Sequence, residues 1–279
     1  KALNNMGLKK GNILEPSCGI GHFIGMLPNN DDLKIYGVEK DSISGRFARK
    51  KNKKSSIAIN GYEDVNYSDS FFDVAIGNVP FGQFKVIDKK YDKNNWLIHD
   101  YFFGKTLDKV RPGGVIAFIT SSGTMDKRNS NVRKYIAQRA ELLGAIRLPN
   151  NTFKANAGTE VTSDILFLQK RDTLVNDEPD WVYLDRDENG NEYNKYFIDH
   201  PEMVLGEMIM ESSQFGHSLT CKPYEDRNLS DLLSEAVQNI HAEITEFDIS
   251  EIGEVEDNSV PADPNVKNFS FTVVEDKIY

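Results

Sequence analysis

Residues 77–82, with the sequence Gly-Asn-Val-Pro-Phe-Gly, follow a short apolar run that is typical of a buried strand. A proline restrains the preceding residue to an extended conformation, so a main-chain carbonyl can point outward beside the Asn78 side-chain oxygen. Two acceptors that converge on one point can hold a planar amino group, and Phe81 supplies a face on which a flat ring can stack. We therefore expect an amine-binding site at Asn78. The simpler alternative is a loop that packs Phe81 into the core.

A second segment, residues 15–21, has the sequence Glu-Pro-Ser-Cys-Gly-Ile-Gly and lies between an apolar run and a helical stretch. Its glycines let the backbone approach a ligand, and the helix N-terminus beyond them presents free amides. The spacing lacks the third glycine of a dinucleotide site. Glu15 disfavours a pyrophosphate and favours a cationic centre such as the ammonium of an amino acid. By itself, this segment fits a structural turn about as well.

Glu39 ends the next apolar run and follows the glycines by about 20 residues, where α/β folds that bind nucleosides place a carboxylate for the ribose hydroxyls. The alternative is a surface acid beside Lys40. Together with the glycine segment, Glu39 favours a nucleoside-containing ligand.

The elements that would position these residues follow a repeating pattern. Short apolar runs alternate with helical stretches, which is typical of a parallel sheet covered on both faces. We predict an α/β protein with a doubly wound, mostly parallel seven-stranded sheet whose ligands bind at the carboxyl ends of the strands. The predicted strands are 12–15, 34–39, 56–59, 72–76, 115–120, 145–148 and 165–169. Further strands are predicted at 181–184, 195–198 and 268–274, and an amphipathic helix capped by Ser230 at 229–244.

The charge is distributed unevenly along the 279 residues, whose net charge is −10. Residues 1–173 carry 27 Lys and Arg against 18 Asp and Glu, whereas the remainder carries 6 against 25. We therefore predict two parts, 1–174 and an acidic α+β extension at 175–279. The first part can face a polyanion, so the acidic total does not exclude nucleic acid. Lys85 and Lys89, which follow Asn78 closely, are candidate phosphate contacts.

Other function classes are excluded or disfavoured by composition. No apolar run approaches the roughly 20 residues that a membrane-spanning helix needs. Cys18 and Cys221 form no disulfide framework and suit a reducing compartment, so we expect a cytoplasmic protein. The histidines do not fall at the spacing of a zinc site, and we expect no metal.

The three segments at Glu15, Glu39 and Asn78 resemble the S-adenosylmethionine-dependent N6-adenine-specific DNA methyltransferases. That family usually has Asn/Asp-Pro-Pro-Tyr/Phe where this chain has Asn-Val-Pro-Phe, so Val79 departs from the pattern but keeps the carbonyl. Residues 73–171 further resemble the methyltransferase modules of large helicase fusions in phages and mobile elements. The resemblance covers roughly residues 10–171. It implies a Rossmann-like methyltransferase fold and a role in DNA methylation and restriction-modification.

The resemblance also implies S-adenosylmethionine as the cofactor. Four residues would surround its methionine moiety: Glu15, Ser17, Gly19 and Gly21. Glu39 would bind the ribose. Glu63 would reach the adenine amino group, with Asp64 as the alternative.

The same resemblance assigns the substrate side of the site. Asn78 and the carbonyl of Val79 would accept hydrogen bonds from the N6 amine of a flipped adenine, with Pro80 shaping the loop and Phe81 stacking on the base. Phe153 would form the other wall of the base pocket, or would be an ordinary core residue.

The sequence begins at Lys1 and lacks the further cofactor-binding segment that this family places upstream, so we expect a piece of a larger polypeptide with further domains. Two alternatives stay open. One is methylation of another planar amine, in a protein glutamine or an RNA base. The other is a catalytically weak docking module of a larger helicase-like protein. A nicotinamide-dependent dehydrogenase is disfavoured, because residues 78–81 have no role in one.

Overall fold

The computed structural model describes residues 2–28, 30–154, 158, 160–213 and 216–244, together with two short strands at 273–274 and 277–278. Its centre is a seven-stranded sheet with the strand order β3-β2-β1-β4-β5-β7-β6. Strand β7 pairs antiparallel with β5 and β6, and the other neighbouring strands pair parallel. The seven strands are β1 (Gly11–Glu15), β2 (Leu33–Val38), β3 (Ser56–Ala58), β4 (Phe72–Asn78), β5 (Val110–Ser121), β6 (Ala140–Leu148) and β7 (Ser163–Lys170).

Helices connect these strands and cover the sheet. They are α1 (Ala2–Asn5), α2 (His22–Met26), α3 (Ser42–Lys51), α4 (Ile98–Lys109), α5 (Gly123–Asp126) and α6 (Asn131–Ala137). Short 3-10 turns occur at Tyr62–Asp64 and Asp92–Asn94. Helix α4 is buried along almost its whole length. Since it leads directly into β5, it forms the centre of one layer over the sheet.

The strands form where the sequence is apolar on both faces. In β4, Phe72, Val74 and Ala75 are fully buried, and Val115, Ile116 and Phe118 of β5 are buried beside them. A strand buried on both faces lies in the middle of a sheet that is covered on both sides. Because β1 pairs parallel with β2 and with β4, the carboxyl ends of these three strands lie on the same side of the sheet. This arrangement confirms the predicted fold class and the existence of each of its seven strands.

The chain after the sheet adds two hairpins and two helices. They are β8 (Leu184–Arg186) with β9 (Glu192–Asn194), α7 (Lys195–Asp199), β10 (Gly206–Ser213) with β11 (Gly216–Pro223), and α8 (Leu229–Ala236), with 3-10 turns at Asp180–Val182, Pro201–Met203 and Val237–Asn239. A pair of two-residue strands, β12 (Val273–Val274) and β13 (Lys277–Ile278), lies near the C-terminus.

Three predictions for this region were wrong in detail. The strand predicted at 181–184 is a 3-10 turn at Asp180–Val182, and strand β8 begins only at Leu184. The strand predicted at 195–198 is helix α7, because the Asn194 side chain accepts a hydrogen bond from the Tyr196 amide and caps a helix there. The helix predicted at 229–244 ends at Ala236, and its cap is Asn228 rather than Ser230. Of the strand predicted at 268–274, only 273–274 lie within the described residues.

The packing boundary differs from the predicted domain boundary after residue 174. Residues 1–245 form one compact unit and 246–279 another. Residues after 174 share the hydrophobic core of the sheet, in which four of them are buried: Trp181, Val182, Ile240 and Ile244. This part of the chain therefore has no separate core of its own among the described residues. The acidic extension as a functional unit stays a prediction. Across the described residues, no helix combines the length and the apolar character that crossing a bilayer requires.

Candidate active site

The turn after β1 is held against the end of β2. The Cys18 amide donates to the Val38 carbonyl at 2.9 Å, and the Gly21 amide donates to the Cys18 carbonyl at 2.7 Å. Gly19 and Gly21 have φ angles of 53° and 77°, a region that favours glycine. A Cβ on Gly21 would overlap the Asn52 side chain, whereas one on Gly19 would meet no atom within 4 Å. Gly21 is therefore required by packing, and Gly19 borders open space.

Glu39 directly follows β2 and binds this turn. Its Oε2 accepts a hydrogen bond of 2.7 Å from the Gly19 amide, and its Oε1 accepts one of 2.7 Å from the Asp41 amide at the start of α3. A carboxylate offers about four lone-pair positions, so both oxygens keep acceptor capacity. Glu39 can therefore position the glycine turn and still accept hydrogen bonds from ligand hydroxyls.

Glu15, the last residue of β1, is buried and electrostatically unusual. The pKa of its carboxyl is raised to about 8, mainly by burial; a backbone hydrogen bond with Ile24 opposes the rise, and the negative charge of Glu39 adds to it. Its Oε2 has no hydrogen-bond partner within the described part of the chain. An unpaired buried acceptor costs free energy, and a cationic ligand group would stabilise the ionised form of this carboxyl.

Asn78, the last residue of β4, also presents a buried acceptor. Its Oδ1 has no hydrogen-bond partner among the described residues. Gly77 brings β4 close to β1, since a Cβ on Gly77, whose φ is 152°, would lie 3.4 Å from the Glu15 Cγ. Two unsatisfied acceptors, Glu15 Oε2 and Asn78 Oδ1, thus lie at the carboxyl ends of the neighbouring strands β1 and β4. Buried orphan acceptors of this kind call for a functional explanation.

Val79 continues the strand for one more residue. Its amide donates to the Ile119 carbonyl of β5 at 3.0 Å, and its side chain is buried. Proline has no N–H and could not make this bond. The hydrogen bond restrains residue 79 where the resembling family uses a proline ring, so the valine does not release the loop from the sheet.

A pocket of about 650 Å³ opens beside these residues. It contains five of the predicted site residues, namely Ser17, Glu39, Glu63, Pro80 and Lys85. The rest of its lining consists of Pro16, Lys40, Asn60, Tyr62, Phe84, Val86, Ile87, Ile98 and Phe102. Acidic and basic groups therefore lie along a largely apolar cleft, a composition suited to a small molecule with polar ends and a flat ring.

Glu63 is placed in this lining, whereas Asp64 is exposed and lies outside it. Lys40 donates to Glu63 Oε1 at 2.7 Å. Burial raises the pKa of Glu63, but the Lys40 hydrogen bond and charge outweigh it, so that the pKa lies below its usual value. Glu63 is therefore an ionised acceptor at neutral pH.

The aromatic and basic candidates are distributed more widely. Phe81 is 40% exposed and lies outside the pocket lining, with its ring available to a large ligand. Phe153 is partly buried and packs against the main core. Lys85 lines the pocket and donates to the Asn95 side chain, while Lys89 is exposed. The roles predicted for these four residues stay predictions.

In the wall formed by residues 84–87, only Lys85 was predicted from the sequence, and the apolar residues Phe84, Val86 and Ile87 were not. Phe84 and Ile87 are 55% and 84% exposed although both are large and apolar. Their signal in the sequence was an apolar run inside a lysine-rich loop that no strand or helix pattern explains. Within the described ranges, no group of three or more His, Cys, Asp or Glu side chains is arranged to hold a metal ion.

Comparisons with known proteins agree with this geometry. Residues 27–153 match the model of the Eco57I restriction-modification methylase family. A segment of 170 residues is 35% identical to the defense against restriction protein B of Escherichia phage P1 and covers 59% of this chain but 7% of that protein. The resemblance to restriction-modification methyltransferases is thereby confirmed. Because the chain spans such a small part of that relative, the activity of the whole phage protein is not transferred to it.

Two solved structures are similar in fold. One is a protein from Listeria monocytogenes assigned to the class I S-adenosylmethionine-dependent methyltransferases, with 22% identity, a TM-score of 0.52, and coverage of 64% of this chain and 59% of that one. The other, from Vibrio vulnificus YJ016, is assigned as a modification subunit of a type I restriction enzyme. It has 16% identity, a TM-score of 0.47, and coverage of 82% of this chain and 57% of that one. The first likeness confirms the Rossmann-like methyltransferase fold.

Proposed function

We propose that residues 1–174 form an S-adenosylmethionine-dependent methyltransferase domain that acts on the exocyclic N6 amine of adenine in DNA, as one module of a larger restriction-modification protein. The observation that carries this proposal is the pair of buried, unpartnered acceptors, Glu15 Oε2 and Asn78 Oδ1, at the carboxyl ends of adjacent strands. One acceptor suits a cationic cofactor, and the other suits an amine.

The residues fit S-adenosylmethionine at each of its polar parts. The orphan acceptor of Glu15 suits the ammonium of the methionine moiety, and Ser17, two residues further along the chain, lines the pocket. Glu39 keeps acceptor capacity for the ribose hydroxyls, and the ionised Glu63 accepts from the adenine amino group. Ile98 and Phe102 give the adenine ring an apolar surface. When bound, this cofactor supplies an electrophilic methyl group on a sulfonium.

The amine side of the proposal rests on Asn78. An exocyclic amine is a poor nucleophile because its lone pair is delocalised into the ring. Hydrogen bonds from both N–H groups to Asn78 Oδ1 and the Val79 carbonyl favour the geometry in which that lone pair is localised on nitrogen. Acceptors that are already buried and in position stabilise the transition state without reorganising. No strong base is required, and the proton released after transfer passes to water.

DNA is the proposed substrate because basic and aromatic side chains follow Asn78 closely in the chain. Lys85 and the exposed Lys89 follow the site in sequence and can contact phosphates, and Phe81 offers a face for a base that has left the helix. The match of residues 27–153 to a restriction-modification methylase family supports the same substrate class.

The proposal is tested by methyl transfer with a labelled cofactor to unmethylated duplex DNA, single-stranded DNA, RNA and a glutamine-containing protein mixture, followed by nucleoside and amino-acid analysis. We expect N6-methyladenine from DNA. If only RNA or protein is labelled, the substrate is another planar amine and not adenine in DNA. Cofactor binding without transfer to any of these substrates would favour a docking module.

A further inference from the structure

Lys105 lies inside α4, 5% exposed, and its ammonium group is fully occupied. It donates to the Tyr62 carbonyl at 2.8 Å, to the Glu63 carbonyl at 3.3 Å and to Asp88 Oδ2 at 3.1 Å. An ammonium has three N–H donors, and here three acceptors meet them. Burial lowers the pKa of Lys105, while Asp88 favours its charged form. A buried lysine is retained at a cost that its partners must offset.

The first two acceptors belong to one wall of the pocket. Tyr62 and Glu63 line it, in the 3-10 turn between β3 and β4. The Tyr62 ring lies 5.0 Å from the ammonium, and its hydroxyl shares a 3.1 Å hydrogen bond with Thr106. Lys105 therefore fixes both the backbone and the aromatic ring of this wall to α4.

The third acceptor fixes a second wall of the pocket. Residues 84–87 line the pocket, and Asp88 follows them directly. Asp88 Oδ2 also accepts a 2.8 Å hydrogen bond from the Tyr101 hydroxyl, so α4 binds this carboxylate twice. The other end of the wall is held where the Ile98 amide donates to the Phe84 carbonyl at 2.9 Å. Asp88 is thus the anchor at the far end of a wall in which Phe84 and Ile87 are exposed and Val86 packs partly buried against the core.

We propose that Lys105 is a positioning residue that joins the two walls of the cofactor pocket, 62–63 and 84–88, through one ammonium group. The inference rests on the proposed function, because cofactor binding is the property that the bridge serves. Lys105 does not line the pocket itself. It sets the separation of Glu63 from the apolar wall, and with it the fit of the nucleoside.

The same helix offers a matched control. Lys109, one turn further along α4, is 6% exposed and donates to the Tyr67 carbonyl and to Asp69 Oδ1, both at 2.6 Å. Like Lys105 it donates to main-chain carbonyl and carboxylate oxygens, here one carbonyl and one carboxylate in a single loop, but neither partner lines the pocket. Loss of either lysine removes a buried charged group, so general destabilisation affects both variants.

The experiment compares Lys105→Met with Lys109→Met. We expect Lys105→Met to raise the Kd for S-adenosylmethionine about tenfold, by loss of charge-assisted hydrogen bonds, and Lys109→Met to change it by less than about twofold. Amide hydrogen exchange without cofactor should accelerate at both 61–64 and 84–88 in the first variant, and near 67–70 in the second. Equal changes in Kd, or acceleration at one wall only in Lys105→Met, would overturn the proposal.

The exchange measurement separates this inference from the proposed function. If the wild-type chain does not bind S-adenosylmethionine, the proposed function is wrong, and with it the role of Lys105 in cofactor binding. Amide hydrogen exchange at 61–64 and 84–88 still shows in that case whether Lys105 joins the two walls. If Lys105→Met does not fold, Asp88→Asn breaks the charged contact from the other wall. Weaker cofactor binding with faster exchange at 84–88 supports the bridge, and unchanged values in both overturn it.

Discussion

The Glu39 carboxylate accepts a 2.7 Å hydrogen bond from the Gly19 amide, which ties the end of β2 to the turn after β1. The same carboxylate accepts from Asp41 at the start of α3. Glu39 therefore organises two loops at the carboxyl edge of the sheet before any ligand binds. Loss of the Glu39 carboxylate should therefore change the shape of the glycine turn.

Asn78→Ala should abolish methyl transfer while leaving cofactor affinity unchanged. The substitution removes the buried Oδ1 acceptor, and losing one such transition-state contact costs on the order of 100-fold or more in kcat. Asn78→Asp is the matched variant, because it keeps an oxygen at Oδ1 and should retain more activity than the alanine variant. Single-turnover transfer and calorimetric titration of S-adenosylmethionine measure the two properties. Equal loss of transfer and of cofactor binding in Asn78→Ala would mean that the residue supports the fold.

Glu15→Gln should stabilise the free protein in a pH-dependent way. The pKa of Glu15 is raised by burial from 4.5 to about 8, so the folded state keeps a proton that the unfolded state releases. This group therefore costs stability progressively as pH rises from about 4.5 to about 8. We expect the variant and the wild type to be similar near pH 4.5, and the variant to be more stable at pH 8 by on the order of 3 kcal/mol. Denaturant titrations across this range measure the difference, and a constant difference would contradict the burial of an ionisable carboxyl.

Phe81→Ala should weaken the interaction with DNA and spare the cofactor. The ring is 40% exposed and lies outside the pocket lining. Stacking of a base on an aromatic side chain contributes about 1–3 kcal/mol, so we expect KM for DNA to rise roughly 10- to 100-fold. Phe47→Ala is the control, since Phe47 is 60% exposed on α3 and also lies outside this pocket. If the two variants have the same KM for DNA, Phe81 does not stack on the base.

Arg147→Met should lower the free energy of unfolding, because it leaves the buried Asp164 carboxylate without its partner. Arg147 and Asp164 are both fully buried, and two hydrogen bonds of 2.9 Å join them. Arg147 also pairs at 2.9 Å with Asp126, whose side chain is 22% exposed and so keeps contact with water when Arg147 is lost. Breaking such a pair costs about 3–5 kcal/mol, whereas replacing both partners with apolar residues is often nearly neutral. The double variant Arg147→Met with Asp164→Leu should therefore recover much of the lost stability in denaturant titrations. If Arg147→Met lowers the free energy of unfolding by less than about 1 kcal/mol, Asp164 is not left as an uncompensated buried charge.

Much of the fold and the strand-end residues could be predicted because their signals are local. The apolar runs gave the seven strands, and parallel strands must bring Glu15, Glu39 and Asn78 to the same edge. The apolar part of the wall at 84–87 and the bridge from Asp88 to Lys105 could not be predicted, since they depend on contacts between residues far apart in sequence. The same reason explains α7, where Asn194 donates to the Met125 and Trp181 carbonyls and caps the helix from a buried position.

Calorimetric titration of S-adenosylmethionine into the wild type, Glu39→Ala and Asp41→Ala is the decisive test of whether the pocket lined by Glu39 binds this cofactor. Asp41 is an adjacent exposed acid whose side chain caps α3 through the Ser44 amide and does not line the pocket. We expect the wild type and Asp41→Ala to bind alike, and Glu39→Ala to bind at least about tenfold more weakly because ribose acceptors are lost. Absence of binding to the wild type, or equal affinity in all three proteins, would contradict cofactor binding in this pocket.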